Sequence, residues 1–221
     1  MDTEPNRSRS LEIGLGIFIL VGLIASFFLY LDNQQKRRAR GHAQVESISN
    51  ARQIGLALFE FESEHGAFPN ATTRVLIEKD YGTAIDLSGT SSNALFRQLF
   101  AAQLTQSEQM FYARTKGYRK PDGTITPGEL LKSGECGFSY ISGLTSKDDP
   151  TTPIALTPLI PGTTRFDPKP FDGMAVALRI DNSASSYKIQ KDGHIYDKGI
   201  DLLSSKHPVW KGKAPDIRYP E

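Results

Sequence analysis

The sequence predicts an α+β protein in which a long N-terminal helix is followed by a small antiparallel sheet. The stretch Ile13–Leu31 is apolar and carries no charge. Apolar residues then recur at steps of three and four as far as Phe61, as they do on one face of a helix. From Phe138 onward the apolar spacing changes to every second residue, which is typical of strands. Helices and strands therefore occupy separate parts of the chain, as in the α+β class.

The apolar stretch predicts a helix that crosses a lipid bilayer once. At about 1.5 Å per residue, Ile13–Leu31 is about 28 Å long, close to the hydrocarbon thickness of a membrane. A signal peptide is the alternative, but its apolar core is shorter and ends at small residues, whereas Asp32 and the basic block Lys36–Arg38 follow here. We expect a cytoplasmic segment at 1–10, a transmembrane helix at 11–31, an amphipathic helical extension at 32–66 and a soluble head domain at 67–221.

The extension is predicted to continue the same helix without a break. Its periodic apolar residues are Val45, Ile48, Ala51, Ile54, Leu58 and Phe61. This pattern is amphipathic, so we expect the extension to lay an apolar stripe on the head. Gly66 is the expected C-cap, and Pro69 is the expected stop.

The first part of the head is predicted to contain short helices and loops. The stretch 71–90 has a mixed pattern, and its end is rich in turn-forming residues. Ser91 and the two residues after it predict the N-cap of a short helix, and one or two further helical turns are expected at Gln106–Tyr112. The segment Lys116–Gly137 contains turns rich in proline and glycine, so it is predicted to be a loop.

The second part of the head is predicted to be an antiparallel meander. The expected strands are Phe138–Ser142, Ile154–Thr157, Ala175–Asp181 and Ser186–Gln190. A short turn separates the last two, which predicts a hairpin. The proline-rich tail Ser204–Glu221 is expected to cover the surface as irregular structure.

Composition excludes several classes of function. The net charge is +1, from 26 basic and 25 acidic residues, so the chain lacks the basic surface that nucleic-acid binding requires. There is 1 cysteine, Cys136, so no internal disulfide can form, and we expect this residue to be buried as a small apolar group. Sequence motifs of hydrolases, nucleotide-binding loops and zinc proteases are absent, so we do not expect an enzyme or an organic cofactor.

Metal and ligand sites have weaker support in the sequence. Asp192, Asp197 and Asp201 lie close together in a loop-rich region, and oxygen ligands on a loop suit calcium. They match no defined calcium motif, so solvated turn residues are the alternative interpretation. Several aromatic residues of the head could line a groove or belong to the core; they are Phe166, Phe171, Tyr187, Tyr196 and Trp210.

Two short motifs give the chain a resemblance to a known family. Arg52–Leu58 spells RQIGLAL and is followed by Phe68-Pro69, while Glu12 stands at the start of the apolar stretch. This pattern resembles that of type IV pilins and type II secretion pseudopilins, in which an apolar N-terminal helix continues into a small α+β head. The stretch Gly162–Tyr196 also resembles C-terminal domains that accompany this helix.

The resemblance implies a location and a set of partners. Pilin-like proteins are single-pass proteins of the bacterial inner membrane with the head outside the cytoplasm, and they associate with like subunits through the N-terminal helix. We therefore expect Glu12, Val45, Ile48, Ile54, Leu58 and Phe61 to act in assembly. In such an assembly the Glu12 carboxylate would neutralise the charged N-terminus of a neighbouring subunit.

The sequence departs from the family pattern at one place. Arg7 stands where the family has the glycine after which the processing peptidase cuts, and Ser8 stands where an aromatic residue usually begins the mature chain. The basic residues after the span would by themselves favour a cytoplasmic head, opposite to the family. The alternative function is a monomeric, membrane-tethered binding module outside the cytoplasm, and self-association through the helix would distinguish the two.

Overall fold

A computed structural model describes the backbone of residues 6–115 and 117–221 and the side chains of residues 18–115 and 117–221. Residues 1–5 of the predicted cytoplasmic segment, the side chain of Glu12, and Lys116 lie outside this description. The chain forms two compact units, Met1–Arg40 and Gly41–Glu221. The predicted α+β class, with a long N-terminal helix and an antiparallel sheet, is confirmed.

The long helix, α1, spans Asn6–His65. It ends where the sequence predicts, because Gly66 adopts the left-handed conformation with φ of 77°. The Gly66 amide donates to the Glu62 carbonyl at 2.7 Å, which satisfies one of the free carbonyls at the helix end.

Within the second unit, α1 buries one face in the core of the head. Ala51, Ile54, Leu58 and Phe61 are completely buried there. The predicted apolar stripe is therefore confirmed as a packing face. Val45 is the exception, because it is 66% exposed.

A second helix, α2 at Ala71–Tyr81, lies in the stretch that the sequence left without an assigned element. Its N-cap is Asn70, whose side-chain oxygen accepts from the amides of Thr72 and Thr73, while the Thr73 hydroxyl accepts from the Asn70 amide. The apolar pattern of α2 is weak, because its buried residues are Thr73 and Ile77. The reciprocal capping box stabilises the start of the helix and so compensates for this weak pattern.

The remaining short helices agree with the sequence. Helix α3 spans Ser92–Ala101, and its N-cap Ser91 accepts from the Ala94 amide, as predicted. A 3₁₀ turn at Glu108–Phe111 occupies the position of the predicted further helical turns. The described part of the predicted loop, 117–137, contains no helix or strand.

The sheet has five strands, and every neighbouring pair is antiparallel. The four predicted strands are present as β1 (Ser139–Ser142), β2 (Pro153–Thr157), β3 (Met174–Arg179) and β4 (Ala184–Lys188). Two short strands, β5 (Tyr196–Asp197) and β6 (Ile200–Asp201), form a separate hairpin. The fifth strand of the main sheet, β7, spans Asp216–Arg218, and the order is β4-β3-β2-β1-β7.

Strand β7 corrects the expectation that the tail is entirely irregular. Its residue Ile217 lies opposite Ile141 of β1, so the tail completes one edge of the sheet. The tail also contains a 3₁₀ turn at Pro208–Trp210. A strand of three residues between prolines is too short to show an alternating apolar pattern. It forms because the edge of β1 has free backbone groups with which it can pair.

Both faces of the sheet are covered. On the helical face, Tyr140, Val176 and Leu178 join the buried residues of α1 and α3 in one core cluster. On the opposite face, Ala175 and Ala177 pack in a second cluster formed largely by the C-terminal segment. That cluster also contains Leu156, Ile195, Leu202 and Trp210.

Gly55 permits the closest approach between α1 and the sheet. A Cβ atom at this position would overlap the side-chain oxygen of Asn182 and would lie 3.2 Å from Cδ1 of Leu178. Asn182 occupies the turn between β3 and β4, where its φ is 61°. The glycine of the RQIGLAL motif therefore has a packing role within the chain.

We predict opposite effects of alanine at the two glycines of the head portion of α1. Alanine normally stabilises a helix interior by about 0.5–1 kcal/mol relative to glycine, so Gly41→Ala, with open space around it, should be neutral or stabilising. Gly55→Ala should instead lower the free energy of unfolding by about 1–2 kcal/mol, because it crowds Asn182. Denaturant unfolding of the full chain in detergent, followed by Trp210 fluorescence, measures both.

The variant Asn182→Gly tests whether crowding of Asn182 causes the loss of stability in Gly55→Ala. Glycine accepts the positive φ and removes the crowding side chain, so it should restore most of the stability lost in Gly55→Ala. Equal stabilisation by the two alanine substitutions would contradict the packing role of Gly55.

Candidate functional site

The most prominent exposed surface is apolar and lies on the first part of α1. We call the side chains of 18–31 the anchor surface. All of them are exposed to solvent; Phe18 is 77% and Leu29 71% exposed. Among the described residues, α1 is the one helix long and apolar enough to cross a membrane by length and composition.

Polar groups on and beside the anchor surface are satisfied within the helix. The Ser26 hydroxyl donates to the Gly22 carbonyl at 2.8 Å, so it needs no partner from the surroundings. Behind the apolar stretch, Lys36 pairs with Asp32 at 2.6 Å, one turn away on the same helix. An apolar stretch that ends in Tyr30 and charged residues has the distribution expected where a helix leaves a membrane. The side chain of Glu12, at the other end, lies outside the described residues.

The residues predicted to act in assembly divide into two groups. Ile54, Leu58 and Phe61 are covered completely by the head, so no partner can reach their side chains in this structure. Ile48 is partly buried against the same core. Val45 is 66% exposed and is available for contact with another molecule.

A second exposed apolar residue of α1, Leu56, was not among those expected. Leu56 is 62% exposed and lies about three helical turns beyond Val45, on the same face. Ser49 and Arg52 lie between them and are also exposed. We call these four residues the outer strip. Leu56 falls outside the predicted apolar stripe, so its exposure agrees with the periodicity, whereas Val45 belongs to that stripe and is exposed as well.

The three carboxylates considered as weak calcium candidates are not brought together. Each of the three carboxylates contacts a different side chain. Tyr196 donates to Asp192 at 2.7 Å. Arg179 lies 3.3 Å from Asp197, and His194 lies 3.0 Å from Asp201. The hydrogen bond from Tyr196 also lowers the pKa of Asp192. Among the described residues, no group of three His, Cys, Asp or Glu side chains is arranged to hold a metal ion. The structure therefore gives no support to calcium binding at this place.

Cys136 is completely buried, as predicted. Burial raises the pKa of its thiol to about 11, so the thiol is protonated and unreactive at neutral pH. Most of the aromatic residues considered for a groove also belong to the core, since Phe166, Phe171 and Trp210 are buried. Tyr187 is half-buried, and Tyr196 is 39% exposed.

A groove of about 340 Å³ lies beside the edge of the sheet, near the end of β1. The groove has apolar lining, to which Ile141 and Trp210 contribute, and its charged lining is balanced. Two lysines and two aspartates supply that charge; they are Lys211, Lys213, Asp148 and Asp216. Its size falls at the lower end of the range for small-molecule sites, which is about 300–1,000 Å³.

Comparison with known proteins adds no family assignment. No protein-family model matches the chain, and neither curated proteins nor solved structures gave a match. The features of the chain that bear on its function are therefore the anchor surface, the outer strip and the surfaces of the head.

Two buried carboxylates that sequence reasoning missed organise the long loop. Glu108 accepts from the Leu131 amide at 2.6 Å and from the Gly123 amide at 3.0 Å. Glu135 accepts from the Lys132 amide at 2.9 Å and lies 3.2 Å from the Arg119 guanidinium. Burial is the main cause that raises the pKa of Glu108, and the nearby Glu135 adds to it.

We predict that Glu108 makes the protein less stable as the pH rises above about 4.5. The pKa of Glu108 is higher in the folded chain than in the unfolded chain. Between these two values the folded state binds more protons, so the free energy of unfolding falls with rising pH until Glu108 is ionised in both states. Glu108→Gln should reduce this fall, whereas Glu60→Gln, which changes an exposed carboxyl, should leave it unchanged.

Denaturant unfolding at several pH values between 4 and 8 measures the effect. An identical pH dependence in the Glu108→Gln variant and the unaltered chain would contradict it.

Proposed function

We propose that this protein is a membrane-anchored, pseudopilin-like subunit of a bacterial secretion or pilus-type assembly, with a structural and not a catalytic role. The observation that carries the proposal is the division of α1. Its first part exposes an unbroken apolar surface, and its later part forms the core of a small α+β head. The same helix can thus serve as membrane anchor, as head scaffold and as contact surface for a neighbour.

The anchor surface favours insertion in a bilayer for a simple physical reason. Removing a large apolar side chain from water is worth about 1.5–3 kcal/mol, and the anchor surface contains many such side chains. Once in lipid, helices associate through close packing and not through further hydrophobic gain. Gly22 is suited to such packing, because it is exposed on the anchor surface and has no side chain to keep a second helix at a distance.

The resemblance to pilin-like proteins supports the finer parts of the proposal. It favours an inner-membrane location with the head outside the cytoplasm, and it assigns Glu12 to the N-terminus of a neighbouring subunit. A charge in a low-dielectric helix bundle is costly alone and much less so when paired, which gives this contact a physical reason. In the RQIGLAL motif, by contrast, Ile54, Gly55 and Leu58 serve the packing of the head itself.

A second candidate function is that of a monomeric binding module tethered by α1. The groove beside β1 favours it, since an apolar lining with charged residues of both signs would suit a small ligand with apolar and polar parts. The absence of a glycine at position 7 favours it as well, because an unprocessed N-terminus would keep the chain permanently anchored.

We predict that arginine in the outer strip weakens self-association. Val45→Arg and Leu56→Arg place a large charge where a neighbouring helix would pack, and both side chains lie outside the core. Each should weaken association of the full chain in vesicles at least about tenfold, since burying an unpaired charge is strongly unfavourable. Energy transfer between labelled chains at increasing protein-to-lipid ratios measures the association.

Val75→Arg is the matched control for these variants. Val75 is an exposed valine, 56% accessible, on α2, outside the outer strip. It should leave the association unchanged. A chain that stays monomeric at all protein-to-lipid ratios would instead support the tethered binding module.

Intact-mass measurement of the protein from native membranes distinguishes the two candidate functions. A chain that lacks residues 1–7 and carries an added methyl group would support assembly into a filament. Glu12→Ala should reduce recovery of partner subunits without changing the stability of the head. A full-length, unmodified mass would count against filament assembly and favour the tethered module.

A further inference from the structure

Two arginines from distant parts of the chain line one small cavity of the head. Arg74 belongs to α2, and Arg218 belongs to β7 at the edge of the sheet. The other lining residues come from the N-cap and first residue of α2, the loop before α3, α3 itself and the end of β1; they are Asn70, Ala71, Gly89, Thr90, Leu95 and Ser142. The cavity is therefore formed by tertiary packing and not by one local motif.

Both guanidinium groups keep a donor without an acceptor. The Nε atoms of Arg74 and Arg218 are buried, and neither has a hydrogen-bond partner among the described residues. Both Nε atoms are closed off from solvent, so a ligand in the cavity would be held by the terminal nitrogens of the two guanidinium groups. The polar neighbours in the lining include the hydroxyl-bearing residues Ser142 and Thr90.

Carboxylates lie near both arginines but do not satisfy these donors. Glu78 lies 3.8 Å from the Arg74 Nε, which is too long for a hydrogen bond. Asp216 pairs with a terminal nitrogen of Arg218 at 2.6 Å and leaves its Nε free. Since a guanidinium has five N–H donors, each arginine can hold its neighbouring carboxylate and still donate to a second anion.

The backbone amides at the N-terminal end of α2 are not free to bind an anion. The amides of Thr72 and Thr73 are already bound by the Asn70 side chain. The two arginines are thus the groups in the lining that would recognise a ligand. Their planar donors match the oxygens of carboxylates and phosphates.

The size of the cavity limits what it can hold. Its volume is about 50 Å³. By a comparable measure one water needs about 10–15 Å³, so the cavity accommodates a group of roughly three to five heavy atoms. That is the size of a carboxylate or a phosphate, and it is too small for a nucleotide or a sugar chain.

We propose that this cavity binds a single anionic group, a carboxylate or a phosphate, between Arg74 and Arg218. Leu95 and Ala71 provide an apolar part of the lining, which strengthens the attraction between the anion and the guanidinium groups. The site is separate from the outer strip and the anchor surface, and it does not depend on the proposed role in assembly.

Titration of the full chain in detergent with inorganic phosphate and with acetate, at constant ionic strength, tests the proposal. Binding stabilises the folded state, so the midpoint of thermal unfolding, followed by Trp210 fluorescence, should rise and reach saturation. Stabilisation by phosphate alone assigns the site to phosphoryl groups, and stabilisation by acetate alone assigns it to carboxylates. Either result, or both together, supports the site.

Three substitutions separate the site from a general charge effect. Arg74→Gln and Arg218→Gln should each raise the apparent Kd at least about tenfold, because each removes charge-assisted hydrogen bonds. Lys79→Gln removes the same charge from an exposed position of α2 outside the cavity and should leave the Kd unchanged. If Arg218→Gln unfolds the edge of the sheet, Arg74→Gln on the partly exposed helix still decides the question.

Three outcomes would overturn the proposal. One is no saturable stabilisation by either anion up to roughly 20 mM, a range in which a site with two arginines should fill. The second is equal weakening by Lys79→Gln, which would mean that only overall charge matters. The third is unchanged binding in a folded Arg74→Gln variant.

Discussion

The burial of one face of α1 against the sheet is the interaction on which the rest of the head depends. Ile54, Leu58 and Phe61 are completely covered and share one core cluster with residues of β1, β3 and α3. Gly55 lies among them and allows the turn between β3 and β4 to approach the helix closely. Because the interior is close-packed, the meander cannot shift along α1 without opening cavities or crowding Asn182.

This burial also determines which parts of α1 are available for function. A side chain that the head covers contributes to stability and cannot contact another molecule. The anchor surface is exposed in the first unit, and the outer strip is one of the exposed parts of α1 in the second. The apolar side chains on these surfaces would lose contact with water in the proposed membrane and in the proposed contact with a neighbouring subunit.

Some elements could not be predicted because their stability comes from contacts distant in sequence. Helix α2 buries only Thr73 and Ile77, so its apolar periodicity is weak. Its start is held by Gln98 of α3, which accepts from the Thr73 hydroxyl at 2.7 Å and donates to the Asn70 carbonyl at 3.0 Å. Strand β7 is short and forms only because it can pair with β1. The buried carboxylates Glu108 and Glu135 similarly bind amides of a loop that shows no regular pattern.

The sequence by itself determined the α+β class, the long helix with its apolar stretch, the caps at Ser91 and Gly66, and the four strands of the meander. These features follow from composition, periodicity and capping chemistry, which act between residues near one another in the chain. The packing of the head, by contrast, leaves Val45 exposed and Ile48 only partly buried, although both belong to the same apolar pattern as Leu58. It also separated the candidate calcium ligands and placed Arg74 beside Arg218. The reason is that exposure and shared cavities arise from packing between distant segments, which no local pattern records.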